Sequence, residues 1–145
     1  MKKIIALLAI VAMGFSAKAA SVTIVNNLPF SVTGNFDNVW LTGAGAASWS
    51  GTTPVTIPGF GGSLFYATTN DFFYATTGGT SFFPPTAFLY GWWFTPIGSL
   101  CGQFYGQGGL TQNYPCGAVG FGYSGFTVST VAGTTNTTIT ITPYL

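Results

Sequence analysis

Residues that favour β-strands are abundant beyond residue 19, and almost no stretch repeats its apolar residues with helical periodicity. The clearest strand is residues 137–142, TTITIT, in which Ile139 and Ile141 share one face and Thr residues occupy the other. Residues 126–131 precede it across an Ala-Gly link, and we predict that the two segments form a hairpin. The pattern predicts an all-β chain.

Two more strands are expected near the start of the chain. Residues 21–26, SVTIVN, end at the turn signal Asn27-Leu28-Pro29, and residues 30–36 follow as the next strand. Proline then divides the middle of the chain into short segments, as expected for strands joined by irregular loops, at Pro54, Pro58, Pro84, Pro85 and Pro96.

The pentapeptide FYATT occurs twice, at residues 65–69 and 73–77. Asn70 and Asp71 lie between the two copies, and both side chains tolerate the positive φ of a two-residue hairpin turn. We therefore predict a hairpin in which Thr69 pairs with Phe72.

The first nineteen residues have the three parts of a secretory signal peptide. Lys2-Lys3 precede the apolar run 4–15, and Ala17-Lys18-Ala19 forms a small-residue cleavage site. The apolar run is shorter than the roughly 20 residues that a membrane-spanning helix needs. We predict a signal peptide at residues 1–19, cleaved after Ala19, and a secreted or cell-surface protein of bacterial type.

The remaining residues, 20–145, suffice for one domain. We predict a single antiparallel β-sandwich or partly closed barrel of roughly 8 to 10 short strands.

The three basic residues, Lys2, Lys3 and Lys18, all lie in the predicted leader, and beyond it Asp37 and Asp71 are the only charged side chains. A chain without cations cannot neutralise phosphates, so we predict no binding to nucleic acid. Attraction to anionic lipid headgroups is excluded for the same reason.

Most enzyme chemistry is excluded as well, because the chain has no His and a Ser or Thr nucleophile would lack a base. Asp37 and Asp71 could form the carboxylate pair of a glycosidase, but each adjoins an Asn at a predicted turn, where backbone hydrogen bonding alone explains it. We predict a protein that is not an enzyme and uses no cofactor.

Two further sequence motifs give only weak indications of a ligand-binding site. Asn35, Asp37 and Asn38 could offer oxygens to Ca²⁺, but one carboxylate makes a poor site. Residues 120–125 match G-x-G-x-x-G, a motif that requires a following helix, whereas the next residues, FTVSTV, read as a strand. We predict no metal site.

Cys101 and Cys116 are the only cysteines. In an exported protein they are expected to form a disulfide, whose loop of about 15 residues is worth roughly 3 kcal/mol in the chain-entropy model.

The chain has 14 Phe, 7 Tyr and 4 Trp residues, which are too many aromatic residues for one small core to bury. Residues 82–94, FFPPTAFLYGWWF, read either as a buried strand pair bent at Pro84-Pro85 and Gly91 or as an exposed aromatic cluster. The candidate assembly or binding surface comprises Trp40, Trp49, Tyr90, Trp92, Trp93 and Phe94.

These features predict a secreted, non-enzymatic structural protein that self-assembles into a surface fibre or extracellular, biofilm-type matrix, with itself as the main partner. The alternative is a secreted binding module or membrane-active β-sandwich that contacts glycans or lipid through exposed Trp and Tyr.

Overall fold

The computed structural model describes residues 19–43, 46–98, 102–116 and 122–145. The predicted leader, apart from Ala19, and Cys101 lie outside these residues. The described chain forms one helix, α1 (Thr69–Thr77), and ten strands: β1 (Ser21–Asn26), β2 (Val32–Thr42), β3 (Ser48–Trp49), β4 (Val55–Ile57), β5 (Gly62–Tyr66), β6 (Phe88–Pro96), β7 (Phe104–Gln107), β8 (Leu110–Pro115), β9 (Gly125–Ala132) and β10 (Asn136–Tyr144).

The strands form two sheets. Sheet A has the order β5-β1-β10-β9-β8, and sheet B has the order β3-β2-β6-β7 with β4 also paired to β2. All neighbours are antiparallel except β1 and β10, which run parallel with Ser21 opposite Asn136. The predicted hairpin at the C-terminal end is confirmed, since β9 pairs antiparallel with β10.

The inner faces of the two sheets enclose one apolar core. In β10, Ile139 and Ile141 are buried while the intervening Thr140 is only half-buried, which confirms the predicted alternation. Thr137, also on the inner face, donates its hydroxyl to the Leu89 carbonyl of sheet B at 2.7 Å. The all-β prediction is therefore confirmed, and the two sheets are consistent with a β-sandwich.

The predicted hairpin around Asn70-Asp71 is wrong, because these residues lie in α1. The Thr68 hydroxyl accepts the Asp71 backbone N–H at 3.0 Å and donates to the Asp71 carboxylate at 2.8 Å. At the other end, Gly78 adopts a φ of 71° and donates its N–H to the Tyr74 carbonyl at 2.8 Å. Both helix ends thus have capping groups, which favour a helix over the predicted turn.

Helix α1 closes one side of the sandwich by placing Phe72 between the sheets. The Phe72 ring is fully buried, 5.2 Å from the ring of Tyr66 in sheet A and 5.1 Å from that of Phe36 in sheet B. Thr69, on the same face of the helix, donates its hydroxyl to the Ala87 carbonyl at 3.0 Å. A helix of only nine residues is therefore held by tertiary contacts.

At the opposite side, the chain passes from sheet B to sheet A through Gly108-Gly109. The Gly108 N–H donates to the Tyr90 carbonyl of sheet B, and the Gly109 N–H donates to the Thr130 carbonyl of sheet A, both at 2.8 Å. The Tyr114 hydroxyl of β8 accepts the Tyr105 N–H at 3.0 Å and donates to the Tyr105 carbonyl at 2.5 Å. Tyr114 therefore links β8 to the backbone of edge strand β7.

Replacing Phe72 with Ala is expected to lower the free energy of unfolding by about 3–5 kcal/mol, because the buried ring contacts both sheets. The control is Phe82→Ala, which removes a ring that is 89% exposed and should change stability by less than about 0.5 kcal/mol. Urea denaturation measures both changes. Equal effects would mean that α1 does not anchor the sandwich.

Burial raises the pKa of Tyr114 above its ordinary value of 10.0, although the hydrogen bond with the Tyr105 backbone opposes this. The unfolded chain therefore loses this proton at lower pH than the folded chain does. The contribution of Tyr114 to stability is constant below pH 10 and falls as pH rises through the folded pKa. We expect Tyr114→Phe to flatten this fall in urea denaturation, whereas Phe82→Ala, at an exposed position without an ionisable group, should leave it unchanged.

Candidate functional surfaces

Strand β2 contains a bulge that changes which of its side chains face outward. Asp37 pairs with Trp93 and Trp40 pairs with Gly91, so two residues of β2 lie opposite the single residue Trp92. Asn38 adopts a φ of 47°, a conformation that Asn tolerates better than most residues. The predicted end of the second strand at residue 36 is therefore wrong, since β2 continues to Thr42 through this bulge.

The bulge reverses the alternation of β2 beyond Asn38. Phe36 faces the core before the bulge, and strict alternation would also send Trp40 inward. Instead, Val39 and Leu41 are buried, and Trp40 is half-buried on the outer face of sheet B.

A second bulge lies opposite, in β6. Trp40 pairs with Gly91 and Leu41 pairs with Leu89, which leaves Tyr90 as the extra residue. The Trp40 indole lies directly on Gly91, because a Cβ added to Gly91 would be 2.0 Å from the indole ring. Only glycine leaves room for this contact.

Five half-buried rings lie on the outer face of sheet B, Phe88 among them. We call the other four the aromatic face: Trp40, Tyr90, Trp93 and Tyr105. The rings of Trp93 and Tyr105 stack with centroids 5.0 Å apart and planes 29° from parallel. The Gln107 amide donates to the Tyr90 hydroxyl at 3.0 Å. This surface therefore combines aromatic rings with amide and hydroxyl groups.

A polar network lies beside the rings. The Thr95 hydroxyl donates a hydrogen bond to the Asp37 carboxylate and accepts one from the Gln103 amide at 3.1 Å. Asp37 pairs with Trp93, so this network adjoins the stacked rings. Asp71, the other carboxylate of the predicted catalytic pair, instead hydrogen-bonds to Thr68 at the start of α1.

The six predicted surface residues divide into three groups. Trp40, Tyr90 and Trp93 come together on the aromatic face. Trp92 and Phe94 are each only 1% exposed and belong to the core, so the prediction that they form a surface is wrong.

Trp49 also has a structural role. Its indole N–H donates to the Thr76 hydroxyl at 3.1 Å, and its ring stacks on Phe83 with centroids 5.5 Å apart. Trp49 therefore connects β3 to α1 and to the loop before β6.

Residues 82–94 match neither prediction completely. They comprise a loop, in which Phe82 is 89% exposed, and most of one strand, β6, with alternating buried and half-buried residues. Tyr105 was missed by the sequence analysis, although it alternates in β7 with the buried residues Phe104 and Gly106.

The two edge strands of sheet A form a second candidate surface. Among the described residues, β5 pairs only with β1, and β8 pairs only with β9. Neither strand contains a charged residue, and the one proline is Pro115, at the end of β8. Phe65 of β5 is 66% exposed. Within the described residues these edges therefore lack charge and interior proline, two of the devices that normally prevent strands from pairing with other chains.

The two edges run in opposite directions. Strand β5 is antiparallel to β1, β1 is parallel to β10, and two further antiparallel pairings lead through β9 to β8. Strand β8 therefore has the direction of β1, and β5 has the opposite one.

The predicted disulfide and the predicted absence of a metal site stay predictions. Cys116 is half-buried after β8, but its predicted partner Cys101 lies outside the described residues. Within the described ranges, no three His, Cys, Asp or Glu side chains come together as a metal site would require. No helix in this part of the chain has the length and apolar character needed to cross a bilayer.

No protein-family model matches the chain, and comparisons with curated proteins and with solved structures find no significant match.

Replacing Gly91 with Ala is expected to lower the free energy of unfolding by about 1–3 kcal/mol, because the new methyl group would overlap the Trp40 indole. The penalty should largely disappear in a Trp40→Ala background, where space is available. Gly102→Ala is the control, since a Cβ there has no neighbour within 4 Å. Urea denaturation of the single and double variants measures the coupling, and an equal penalty in both backgrounds would contradict this contact.

Proposed function

We propose that this protein is an exported structural subunit that assembles head to tail into filaments through the edges of sheet A. The observation that carries this proposal is the opposite direction of the uncharged edge strands β5 and β8. Export rests on the leader pattern of residues 1–19.

The direction of the edges determines how two copies would pair. If neighbouring copies have the same orientation, β8 of one copy lies antiparallel to β5 of the next, and antiparallel pairing is slightly more stable per residue than parallel pairing. In a wholly antiparallel five-stranded sheet the two edges would run in the same direction. Because β1 and β10 are parallel, the two edge strands of sheet A run in opposite directions instead. This arrangement favours continuation of sheet A from one copy to the next.

Such an interface joins two different surfaces, and it therefore leaves one unpaired edge at each end of every oligomer that is not a closed ring. Interfaces of this kind produce filaments when the rotation between copies does not close a ring. Backbone hydrogen bonds would supply the attraction, as in other cases of strand addition. With only two charged side chains beyond residue 19, little electrostatic repulsion opposes association.

The first test is electron microscopy of the purified chain and of Leu64→Lys. Leu64 is half-buried and faces the core from the edge strand β5. In a single subunit the ammonium group reaches water past the open edge, but a neighbouring β8 would cover it. We expect filaments from the unchanged chain and none from Leu64→Lys.

Ser63→Lys is the matched control, because it adds the same charge to the same strand on the exposed outer face. It should retain filaments. Filaments formed by Leu64→Lys, or their absence from the unchanged chain, would contradict assembly through β5. Near-ultraviolet circular dichroism checks that each variant is folded.

A mixing experiment tests the head-to-tail arrangement. Gln112→Lys places the same charge on the inward face of β8. Leu64→Lys retains a functional β8 edge, and Gln112→Lys retains a functional β5 edge. Each variant alone should therefore stay monomeric, whereas an equal mixture should form dimers that contain one copy of each. Native mass spectrometry distinguishes these species, because the two variants differ in mass. Dimers formed by either variant alone would contradict head-to-tail pairing.

A further inference from the structure

We propose that the aromatic face of sheet B binds an uncharged glycan chain. This inference is independent of filament assembly, because the four rings lie on sheet B and the proposed assembly edges belong to sheet A. It assigns a ligand class to a surface that the assembly proposal does not use.

The rings of the aromatic face are held in place by one another and by the sheet. Trp93 and Tyr105 are stacked on each other, and Trp40 lies against Gly91 of the neighbouring strand. The Gln107 amide holds the Tyr90 hydroxyl. Because these contacts restrict the side chains before any ligand arrives, less conformational freedom is lost on binding. The apolar C–H face of a sugar ring packs on such aromatic rings without needing charge.

Polar groups complete the match to a hydroxyl-rich polymer. Asp37, Thr95 and Gln103 form a hydrogen-bonded row beside the stacked pair. Their carboxylate, hydroxyl and amide groups can accept hydrogen bonds from sugar hydroxyls and donate to them. The combination of apolar rings with a few convergent polar groups is typical of ligand sites.

The same groups argue against a membrane as the ligand. Insertion of the rings into lipid would also remove Asp37 and the two glutamine amides from water without new partners, which is costly. Anionic ligands are disfavoured too, because no Lys, Arg or His follows Lys18 and the one carboxylate on this face, Asp37, would repel them. An uncharged glycan avoids both costs.

Binding isotherms with the full chain test the proposal, using insoluble cellulose and chitin, soluble neutral mannan and β-glucan, and phosphatidylcholine vesicles. We expect binding to at least one of the glycans and none to the vesicles. Trp93→Ala should weaken that binding about tenfold or more, because central aromatic residues dominate such surfaces. Trp93→Tyr, which keeps a ring, should retain most of the affinity.

Phe82→Ala is the matched control, since it removes an exposed ring that is not part of the aromatic face, and it should bind as the unchanged chain does. No binding to any of the four glycans, binding unaffected by Trp93→Ala, or binding to vesicles in place of glycans would overturn the proposal. Leu64→Lys separates the two proposals, because it should lose filaments and still bind glycan.

Discussion

The parallel pairing of β1 with β10 is the constraint on which the rest of the structure depends. Strand β1 lies between β5 and β10, so its placement joins the first described strand to the last and sets the order of sheet A. It also fixes the direction of both edges. The buried residue Asn26 then anchors the chain after β1, because its amide donates to the carbonyls of Phe30 and Ile57 and its oxygen accepts the Leu28 N–H.

The bulges in β2 and β6 determine which aromatic rings of sheet B lie in the core and which lie on the surface. Strict alternation would place Phe36 and Trp40 on the same face of β2. One extra residue in each strand keeps Phe36 and Trp92 in the core and exposes part of Trp40 and Trp93. Bulges are common where a strand must redirect a side chain, and here they build the aromatic face.

The two copies of FYATT show how far tertiary context overrides local sequence. Phe65 and Tyr66 of the first copy lie in β5, whereas the whole second copy, residues 73–77, lies in α1. The Thr68–Asp71 cap and Gly78 are signals for a helix, but the predicted hairpin rested on the turn preference of Asn70-Asp71 alone. The β9–β10 hairpin, by contrast, was predictable because adjacent segments with clear alternation pair locally.

The sequence by itself determined that the chain is mostly β and that it carries almost no charge, since both follow from residue types and short-range alternation. It also indicated three of the four rings of the aromatic face. Only the tertiary structure decided that β1 pairs with β10 and that Trp92 is buried while its neighbour Trp93 is partly exposed. The physical reason is that alternation specifies two faces but not which face meets the core. That choice depends on bulges and on strand partners far apart in the chain.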